Sequence, residues 1–260
     1  MGKQGILLLT LSALAPAEWA LLIVAPFIGS FLGVVIRRLP EGRPIVWGRS
    51  QCETCRAALA PRDLVPLVSW ALTRGRCRHC GQPLGWFYPG VESAALLIAL
   101  ISLAADFMPR AALDCVLGWW LLALAWIDLR RGLLPDALTL PLIVAGLAAA
   151  AAVDPGSLLD RVVGAVLGYL ALWGIAAAYR ALRRREGLGM GDAKLLAAAG
   201  AWLGATALPQ VILLAALAAL AAAAVLQLRG ARLHRHSALP FGPFLALATW
   251  AIWLGANLPL

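Results

Sequence analysis

The stretch that organises this sequence is Gly187-Leu188-Gly189-Met190-Gly191-Asp192-Ala193-Lys194, which places a carboxylate and an ammonium group at the start of a long apolar run. Glycines let the backbone approach other groups closely, and here they predict that Asp192 lies just before a helix begins. A charged side chain at a membrane boundary costs free energy unless it is solvated or paired. Asp192 is therefore the first candidate functional residue.

The composition of the whole chain identifies the class of protein. Of the 260 residues, 62% are hydrophobic and only 13% are charged, and the mean hydropathy is +0.83. These values lie far outside the range of soluble proteins and predict an all-α polytopic membrane protein. Eight apolar runs approach the length of a membrane-spanning helix, namely Trp19–Ile36, Val91–Ala105, Ala111–Ile127, Ala137–Val153, Val162–Tyr179, Ala193–Leu208, Val211–Leu228 and Leu239–Leu258.

The net charge of +9 indicates orientation in a membrane rather than binding to nucleic acid. Basic residues are in excess in the cytoplasmic loops of membrane proteins. The N-terminus and the even-numbered connections hold only Lys3, Arg110 and Arg161. The odd-numbered connections are rich in arginine: Arg37, Arg38, Arg43, Arg49, Arg56, Arg62, Arg74, Arg76 and Arg78; Arg130 and Arg131; Arg180, Arg183, Arg184 and Arg185; Arg229, Arg232 and Arg235. We therefore expect these connections in the cytoplasm and both termini outside.

The first fifteen residues allow two interpretations. Lys3, the apolar run Ile6–Leu14 and Ala13-Leu14-Ala15 resemble a cleavable signal peptide. The alternative is an external arm or an N-terminal extension of the first span, because Trp19–Ile36 can insert into a membrane alone. Whether residues 1–15 are removed therefore stays open.

Residues 37–90 form a polar cytoplasmic insert with two Cys-x-x-Cys knuckles. Cys52-Glu53-Thr54-Cys55 and Cys77-Arg78-His79-Cys80 have 21 residues between them, a spacing suited to a tetrahedral thiolate site. Disulfides are the alternative, but the cytoplasm is reducing. Zinc would also supply folding free energy that so short a segment lacks. We therefore expect a structural zinc bound by Cys52, Cys55, Cys77 and Cys80, with His79 as a solvated neighbour.

Three acids lie at predicted cytoplasmic ends of apolar runs: Asp128, Asp136 and Asp192. The third run leaves the membrane at Asp128 and the sixth enters it at Asp192, so these two acids lie at similar depth although 64 positions separate them. Two carboxylates held close in a partly dry site share a proton over some pH range. Aspartic proteolysis requires such a pair, because one carboxyl takes a proton from water while the other polarises the scissile carbonyl.

Helix position suggests a role for each acid. Asp192 lies at a helix N-terminus, where the dipole favours an anion, and Asp128 lies near a C-terminus, where it does not. We therefore expect Asp192 to be ionised and Asp128 to be protonated. Asp136 follows Pro135 and resembles an N-cap that could support the site. Lys194 could pair with Asp192 or extend to lipid headgroups. For any single acid, a cap or an interfacial charge remains the alternative.

Taken together, these residues make the chain resemble the type IV prepilin leader peptidases, bacterial aspartic membrane proteases that process type IV pilins and type II secretion pseudopilins. Besides the cysteine knuckles, the resemblance rests on Gly29-Ser30-Phe31-Leu32, Arg38-Leu39-Pro40, Arg74-Gly75-Arg76-Cys77, the stretch from Asp128 to Asp136, Gly189-Met190-Gly191-Asp192-Ala193-Lys194 and Pro240-Phe241-Gly242-Pro243-Phe244. It implies that Asp128 and Asp192 are a catalytic dyad at the cytoplasmic face of the inner membrane. Cleavage would follow a glycine, between a short basic leader and the hydrophobic pilin helix.

The same resemblance implies a domain organisation and a set of partners. Residues 1–36 would form an external N-terminus and the first span, residues 37–90 the four-cysteine insert, and residues 91–260 a seven-helix membrane protease core. The implied partners are prepilin and pseudopilin substrates and membrane lipids, without nucleic acid. The sequence does not set the oligomeric state.

A second reaction is also implied, since many relatives with a cysteine-bearing insert methylate the new N-terminal amine with S-adenosylmethionine. Members usually carry Asn after Gly-Ser-Phe-Leu, where this chain has Gly33. No glycine-rich nucleotide fingerprint identifies a methyl-donor site. Cleavage without methylation is therefore one alternative function. A metal- or proton-coupled transporter with a carboxylate relay and an assembly protein that docks partners through the insert are two others.

Overall fold

The computed structural model describes residues 15–48, 50–52, 54–183, 189–230 and 240–255. The secondary structure of this described part is dominated by nine α-helices, which confirms the expected all-α class. They are α1 (Pro16–Arg38), α2 (Val68–Leu72), α3 (Phe87–Ala105), α4 (Arg110–Arg131), α5 (Asp136–Val153), α6 (Leu158–Arg183), α7 (Met190–Leu203), α8 (Leu208–Leu228) and α9 (Gly242–Gly255).

Six of the described helices are long and apolar enough to cross a membrane, namely α1, α3, α4, α5, α6 and α8. The helices α7 and α9 match the predicted sixth and eighth runs but have 14 residues each. The multi-pass class is therefore confirmed, and eight is an approximate count of spans. The predicted sixth run extended to Leu208, whereas α7 ends at Leu203 because Gly204 turns the backbone with a φ of +88°.

Several sequence predictions fall outside the described residues. They concern the signal-like stretch up to Leu14, Arg49, Arg184 and Arg185, Gly187-Leu188, Arg232 and Arg235, and the ends of the eighth run at Leu239 and Leu258.

The described residues belong to two compact units. Unit 1 lies within residues 1–33 and 49–115, and unit 2 lies within residues 34–48 and 116–260. In unit 1, α1 packs closely on α3 at Gly29, where an ideal Cβ would lie 2.6 Å from the Cα of Glu92. The division into residues 1–36, 37–90 and 91–260 follows expected membrane topology rather than packing, and stays a prediction.

Unit 2 is packed around α7, whose residues from Asp192 to Trp202 are nearly all buried. The indole of Trp202 donates a hydrogen bond to the carbonyl of Leu142 at 3.0 Å. At the crossing of α6 and α7, an ideal Cβ on Gly200 would lie 2.2 Å from the carbonyl oxygen of Gly164. Small residues permit this close approach between membrane helices. The packing of α7 therefore fixes where Asp192 lies.

Candidate active site

Asp192 lies in the first turn of α7, which begins at Met190, rather than just before the helix. Its side chain is buried, with 9% of the residue exposed. The preceding Gly191 packs against Leu134, since an ideal Cβ there would lie 2.8 Å from the Cβ of Leu134. The glycine motif thus allows the start of α7 to pack tightly beside the segment that precedes α5.

Asp128 lies in the last turn of α4 and is 6% exposed. The negative charge of Asp128 acts on the carboxyl of Asp192, and both residues belong to unit 2. The structure therefore brings together the two residues that loop charge had placed at matched depth. A buried, coupled pair of carboxyls is the arrangement that holds one proton between two acids.

A backbone amide also contacts this pair. The N–H of Gly242 donates a hydrogen bond to Oδ2 of Asp128 at 3.0 Å, and Gly242 is the first residue of α9. Asp128 consequently faces the positive end of the α9 dipole, although it lies at the negative end of α4. The prediction from helix position took account only of the helix that carries each acid, and the sequence does not show that α9 begins beside Asp128.

Asp136 and Lys194 form an ion pair outside the buried pair. The Nζ of Lys194 lies 2.5 Å from Oδ1 of Asp136, whose side chain is 59% exposed. The N-cap of α5 is Pro135, and no side chain caps this helix, so the N-cap predicted for Asp136 was wrong. The pairing suggested between Lys194 and Asp192 was also wrong, because Lys194 reaches across to α5 instead. Asp136 therefore differs from Asp128 and Asp192 in both burial and partner.

The four predicted cysteine ligands lie together in unit 1. Their Sγ atoms all lie within 4.8 Å of one another, and the Sγ atoms of Cys52 and Cys80 are 3.9 Å apart. All five cysteines of the chain are free, including the buried Cys115. Thiolates about 2.3 Å from a tetrahedral zinc lie about 3.8 Å from each other. The cluster therefore fits a four-thiolate metal site and contains no disulfide.

The two knuckles share one backbone conformation. In each, the N–H of the first cysteine donates to the carbonyl five residues later, and the N–H four residues later donates back to the first cysteine. These bonds are Cys52 to Ala57 at 3.0 Å and Arg56 to Cys52 at 2.9 Å, and Cys77 to Gln82 at 2.8 Å and Gly81 to Cys77 at 2.9 Å. The residue that closes each turn has a left-handed φ, +56° at Arg56 and +71° at Gly81.

The thiols of the two knuckles differ in their environments. The backbone N–H groups of Cys55 and Thr54 lower the pKa of the Cys52 thiol to about 6. This shift favours the thiolate of Cys52, which is the form that binds metal. At Cys80 the backbone of Gln82 lowers the pKa, but desolvation and the other thiols raise it to about 11. The imidazole-bearing residue His79 is exposed and lies outside the cluster.

Sequence reasoning missed Glu92, a buried acid in α3 that is 5% exposed. Its carboxylate accepts a hydrogen bond from the N–H of Leu67 at 2.8 Å, and α1 packs against the backbone of Glu92 at Gly29. Leu67 holds a left-handed φ of +59° at the start of α2. Glu92 thus joins α1, α3 and the cysteine insert within unit 1. The available signal was a lone acid inside a predicted span, which is a functional hypothesis by default.

Gly33, which stands where members of the family usually carry Asn, also faces α3. An ideal Cβ at this residue would lie 2.8 Å from the ring of Tyr88. The ring of Tyr88 therefore occupies the space that the Cβ of an Asn at position 33 would need. Among the described residues, this geometry gives the departure a local packing reason but does not identify a methyl-donor site.

Comparison with known proteins extends over most of the chain. The sequence model of the bacterial peptidase A24 N-terminal domain matches residues 23–105, and that of the type IV leader peptidase family matches residues 115–224. A prepilin leader peptidase/N-methyltransferase of Burkholderia pseudomallei (strain 1026b) is 43% identical over 246 residues, which cover 84% of this chain and 79% of that protein.

Two further relatives carry the same name. The protein from Dickeya chrysanthemi is 43% identical over 90% of this chain and 91% of its own length. The protein from Klebsiella pneumoniae is 46% identical over 74% of this chain and 87% of its own length. No solved structure matches the chain. The identity and coverage of these relatives show that the chain belongs to the type IV leader peptidase family.

Proposed function

We propose that this protein is a membrane aspartic endopeptidase that removes the leader peptide of type IV prepilins and of type II secretion pseudopilins. Its family is that of the type IV leader peptidases, and its relatives are named prepilin leader peptidases. The observation that carries the proposal is the buried, electrostatically coupled pair Asp128 and Asp192. These two residues are the proposed catalytic dyad.

The chemistry needs one ionised and one protonated carboxyl. The ionised carboxylate takes a proton from a water molecule while the water oxygen bonds to the carbonyl carbon of the scissile peptide. The protonated carboxyl gives its proton to the carbonyl oxygen. When the tetrahedral intermediate collapses, the C–N bond breaks and the leaving amine takes a proton from the dyad. Burial of both acids strengthens these electrostatic interactions because water screens them less.

Cleavage is proposed to follow a glycine at the cytoplasmic membrane face, where a basic leader meets a hydrophobic pilin helix. The arginine-rich connections support this sidedness, because Arg130 and Arg131 closely follow Asp128. In the proposed topology of a bacterial inner-membrane protein, the N-terminus is outside, and the cysteine insert and the dyad are cytoplasmic. Residues 1–36, 37–90 and 91–260 are the corresponding N-terminal, insert and protease regions, and membrane lipids surround the spans.

The cysteine cluster is proposed to hold a structural zinc through Cys52, Cys55, Cys77 and Cys80. Four thiolates fill a tetrahedral coordination sphere and leave no position for water or substrate. The ion would stabilise the insert, whose Sγ atoms within 4.8 Å of one another suit such a site. The proposed zinc would therefore take no part in the hydrolysis of the peptide bond.

Methylation of the new N-terminal amine with S-adenosylmethionine is the proposed second activity. The names of the relatives, which join leader peptidase and N-methyltransferase, support it. Because Gly33 stands where members of the family usually carry Asn, a peptidase that cleaves without methylating is the alternative. A transporter has less support, because relay acids would be expected near mid-span, whereas Asp128 and Asp192 lie in terminal turns of their helices.

The test incubates the purified protein in detergent with a prepilin and reads the mass and N-terminus of the product. We expect a product cut after a glycine, and a gain of one methyl group when S-adenosylmethionine is added. Asp128→Ala and Asp192→Ala should each leave the prepilin intact. Unimpaired cleavage by either variant would reject the dyad. An unmethylated product in the presence of the donor would reject the second activity alone.

A further inference from the structure

We propose that Gly242 is a positioning residue that keeps Asp128 as the ionised member of the dyad. Asp128 would then be the base and Asp192 the acid, the reverse of the assignment that helix position in the sequence predicts. This inference rests on the proposed peptidase function and adds a division of roles to it. It is carried by one hydrogen bond and by the space around one glycine.

The hydrogen bond follows from how α9 begins. The first N–H groups of a helix lack partners within the helix and need external acceptors. In α9, the N–H groups of Phe244 and Leu245 bond to the carbonyl of Phe241 at 3.1 Å, and Pro243 has no N–H. The N–H of Gly242 is left for an external acceptor, and it donates to Asp128 at 3.0 Å.

The space around Gly242 explains why this position is a glycine. An ideal Cβ on Gly242 would lie 2.6 Å from Oδ2 and 3.0 Å from Cγ of Asp128. Contacts that short require something to move. The atoms in the way belong to the end of a short side chain, so the carboxylate would shift while the helices stay in place. A larger residue should therefore disturb the acid more than the fold.

Asp192 lacks an equivalent donor among the described residues. Its carboxyl lies in the first turn of its own helix and is coupled to Asp128, and no described N–H or side chain donates a hydrogen bond to it. A direct hydrogen bond to a charged group stabilises that charge more than a first-turn dipole does. The ionised form is therefore favoured at Asp128 and the proton at Asp192.

The other charged groups around the pair leave this division unchanged. From α7, Asp192 is the acid that faces Asp128, and Lys194 is bonded to Asp136 of α5. The helix α9 carries no charged residue from Gly242 to Gly255. Following Asp128 on α4, Arg130 and Arg131 are both exposed, and Arg131 pairs with Glu41. Asp192 is thus the partner whose proton state is tied to that of Asp128.

A water O–H bond breaks and its proton moves to the Asp128 carboxylate, while the water oxygen bonds to the scissile carbonyl carbon. The proton of Asp192 moves to the carbonyl oxygen. Gly242 touches neither substrate nor water in this step and acts only through the position and charge of Asp128.

The experiment compares the pH dependence of kcat for Gly242→Ala with that of Gly174→Ala, using the full-length protein and a purified prepilin. Gly174 is the matched control, because nothing lies within 4 Å of an ideal Cβ there. Loss of the N–H contact makes ionisation of Asp128 harder. The acid side of the Gly242→Ala profile should therefore move to higher pH by about one to two units. The control should keep the wild-type profile.

A second measurement covers the case in which Gly242→Ala cleaves too slowly. Infrared titration of the lone Asp128 carboxyl in an Asp192→Asn background, with Asp128→Asn/Asp192→Asn as the blank, should show ionisation at higher pH once Gly242→Ala is added. An unmoved titration or an unmoved acid limb would overturn the inference. An inactive wild type would instead count against the peptidase function, so the two failures are distinguishable.

Discussion

The cysteine cluster of unit 1 and the acid pair of unit 2 are built in different ways. Each cysteine knuckle is a turn of a few residues closed by its own backbone hydrogen bonds. Asp128 and Asp192 lie on two different helices and are 64 positions apart in the sequence. The amide of Gly242, which contacts Asp128, is 114 positions away from it. The cysteine cluster therefore depends on local chain geometry, whereas the acid pair depends on how α4, α7 and α9 pack.

This difference predicts that the two regions can be damaged separately. Loss of a cysteine or of the metal should affect the insert of unit 1 and leave the acids in place. Changes to the acids should stop cleavage and leave the metal bound.

The largest effect is expected from replacing the acids by their neutral isosteres. Asp128→Asn and Asp192→Asn should each lower the rate of prepilin cleavage by about 10² to 10⁴-fold, the usual contribution of a general acid or base. The double variant should be about as slow as the slower single variant, because groups that act as one unit are not additive. Steady-state rates and zinc content are measured together. Rate losses that multiply in the double variant would contradict a dyad that acts as one unit. Loss of zinc from an acid variant would contradict the independence of the two regions.

The cysteine site should respond to substitution and to acid. Cys52→Ser should lose the metal and make the insert sensitive to protease, because a structural zinc contributes about 10 kcal/mol of folding free energy. Acid should also release the metal, because a thiolate must be deprotonated to bind zinc and protons compete with the ion for the four sulfurs. Zinc release measured by dye binding should therefore rise as the pH falls.

The control for the cysteine site is His79→Ala, since His79 is exposed and outside the cluster. It should keep its zinc at neutral pH. Cys52→Ser should also keep far more cleavage activity than either acid variant. A protein that loses zinc on His79→Ala, or that keeps it on Cys52→Ser, would show that the metal site is held by other ligands.

A moderate effect is expected from Glu92, which connects the insert to α3. Glu92→Ala removes the acceptor of the Leu67 N–H and should destabilise this junction by about 1–3 kcal/mol. Hydrogen exchange of the insert should become faster, while zinc stays bound. Glu92→Gln keeps a carbonyl acceptor and should lie close to the wild type. Equal protection in Glu92→Ala and wild type would mean that this hydrogen bond does not hold the insert.

The smallest effect is expected from Lys194. Lys194→Met breaks the pair with Asp136, and partly exposed ion pairs contribute about 0–1 kcal/mol. The thermal midpoint and the cleavage rate should therefore stay close to the wild type. A loss of cleavage comparable to that of the acid variants would show that Lys194 acts on Asp192 during the reaction.

The contrast between the regions also explains what the sequence could predict. Cys-x-x-Cys spacing specifies which cysteines meet, because the turn that joins them lies within the motif. Apolar length and arginine-rich connections predicted most helices and placed Asp128 and Asp192 on one side of the membrane. These predictions depend on short-range patterns or on the membrane itself.

Contacts set by packing between distant helices were not predictable in this way. Nothing in the local sequence shows that Gly242 donates to Asp128, that Lys194 reaches Asp136, or that Glu92 accepts from Leu67. The role predicted for Asp128 from helix position took account only of the helix that carries the acid, whereas α9 also begins beside it. The effect of a dipole from another helix can be recognised only in the three-dimensional structure.

The central claim is that the buried acid pair, rather than an exposed acid such as Asp136, performs the cleavage. It is tested most directly by the initial cleavage rate of one prepilin with Asp192→Asn and with Asp136→Asn. Both changes neutralise an acid in the first turn of a helix, but Asp192 is buried whereas Asp136 is exposed. We predict a loss of at least about 10²-fold for Asp192→Asn and a near wild-type rate for Asp136→Asn. Equal rates for the two variants would contradict the claim.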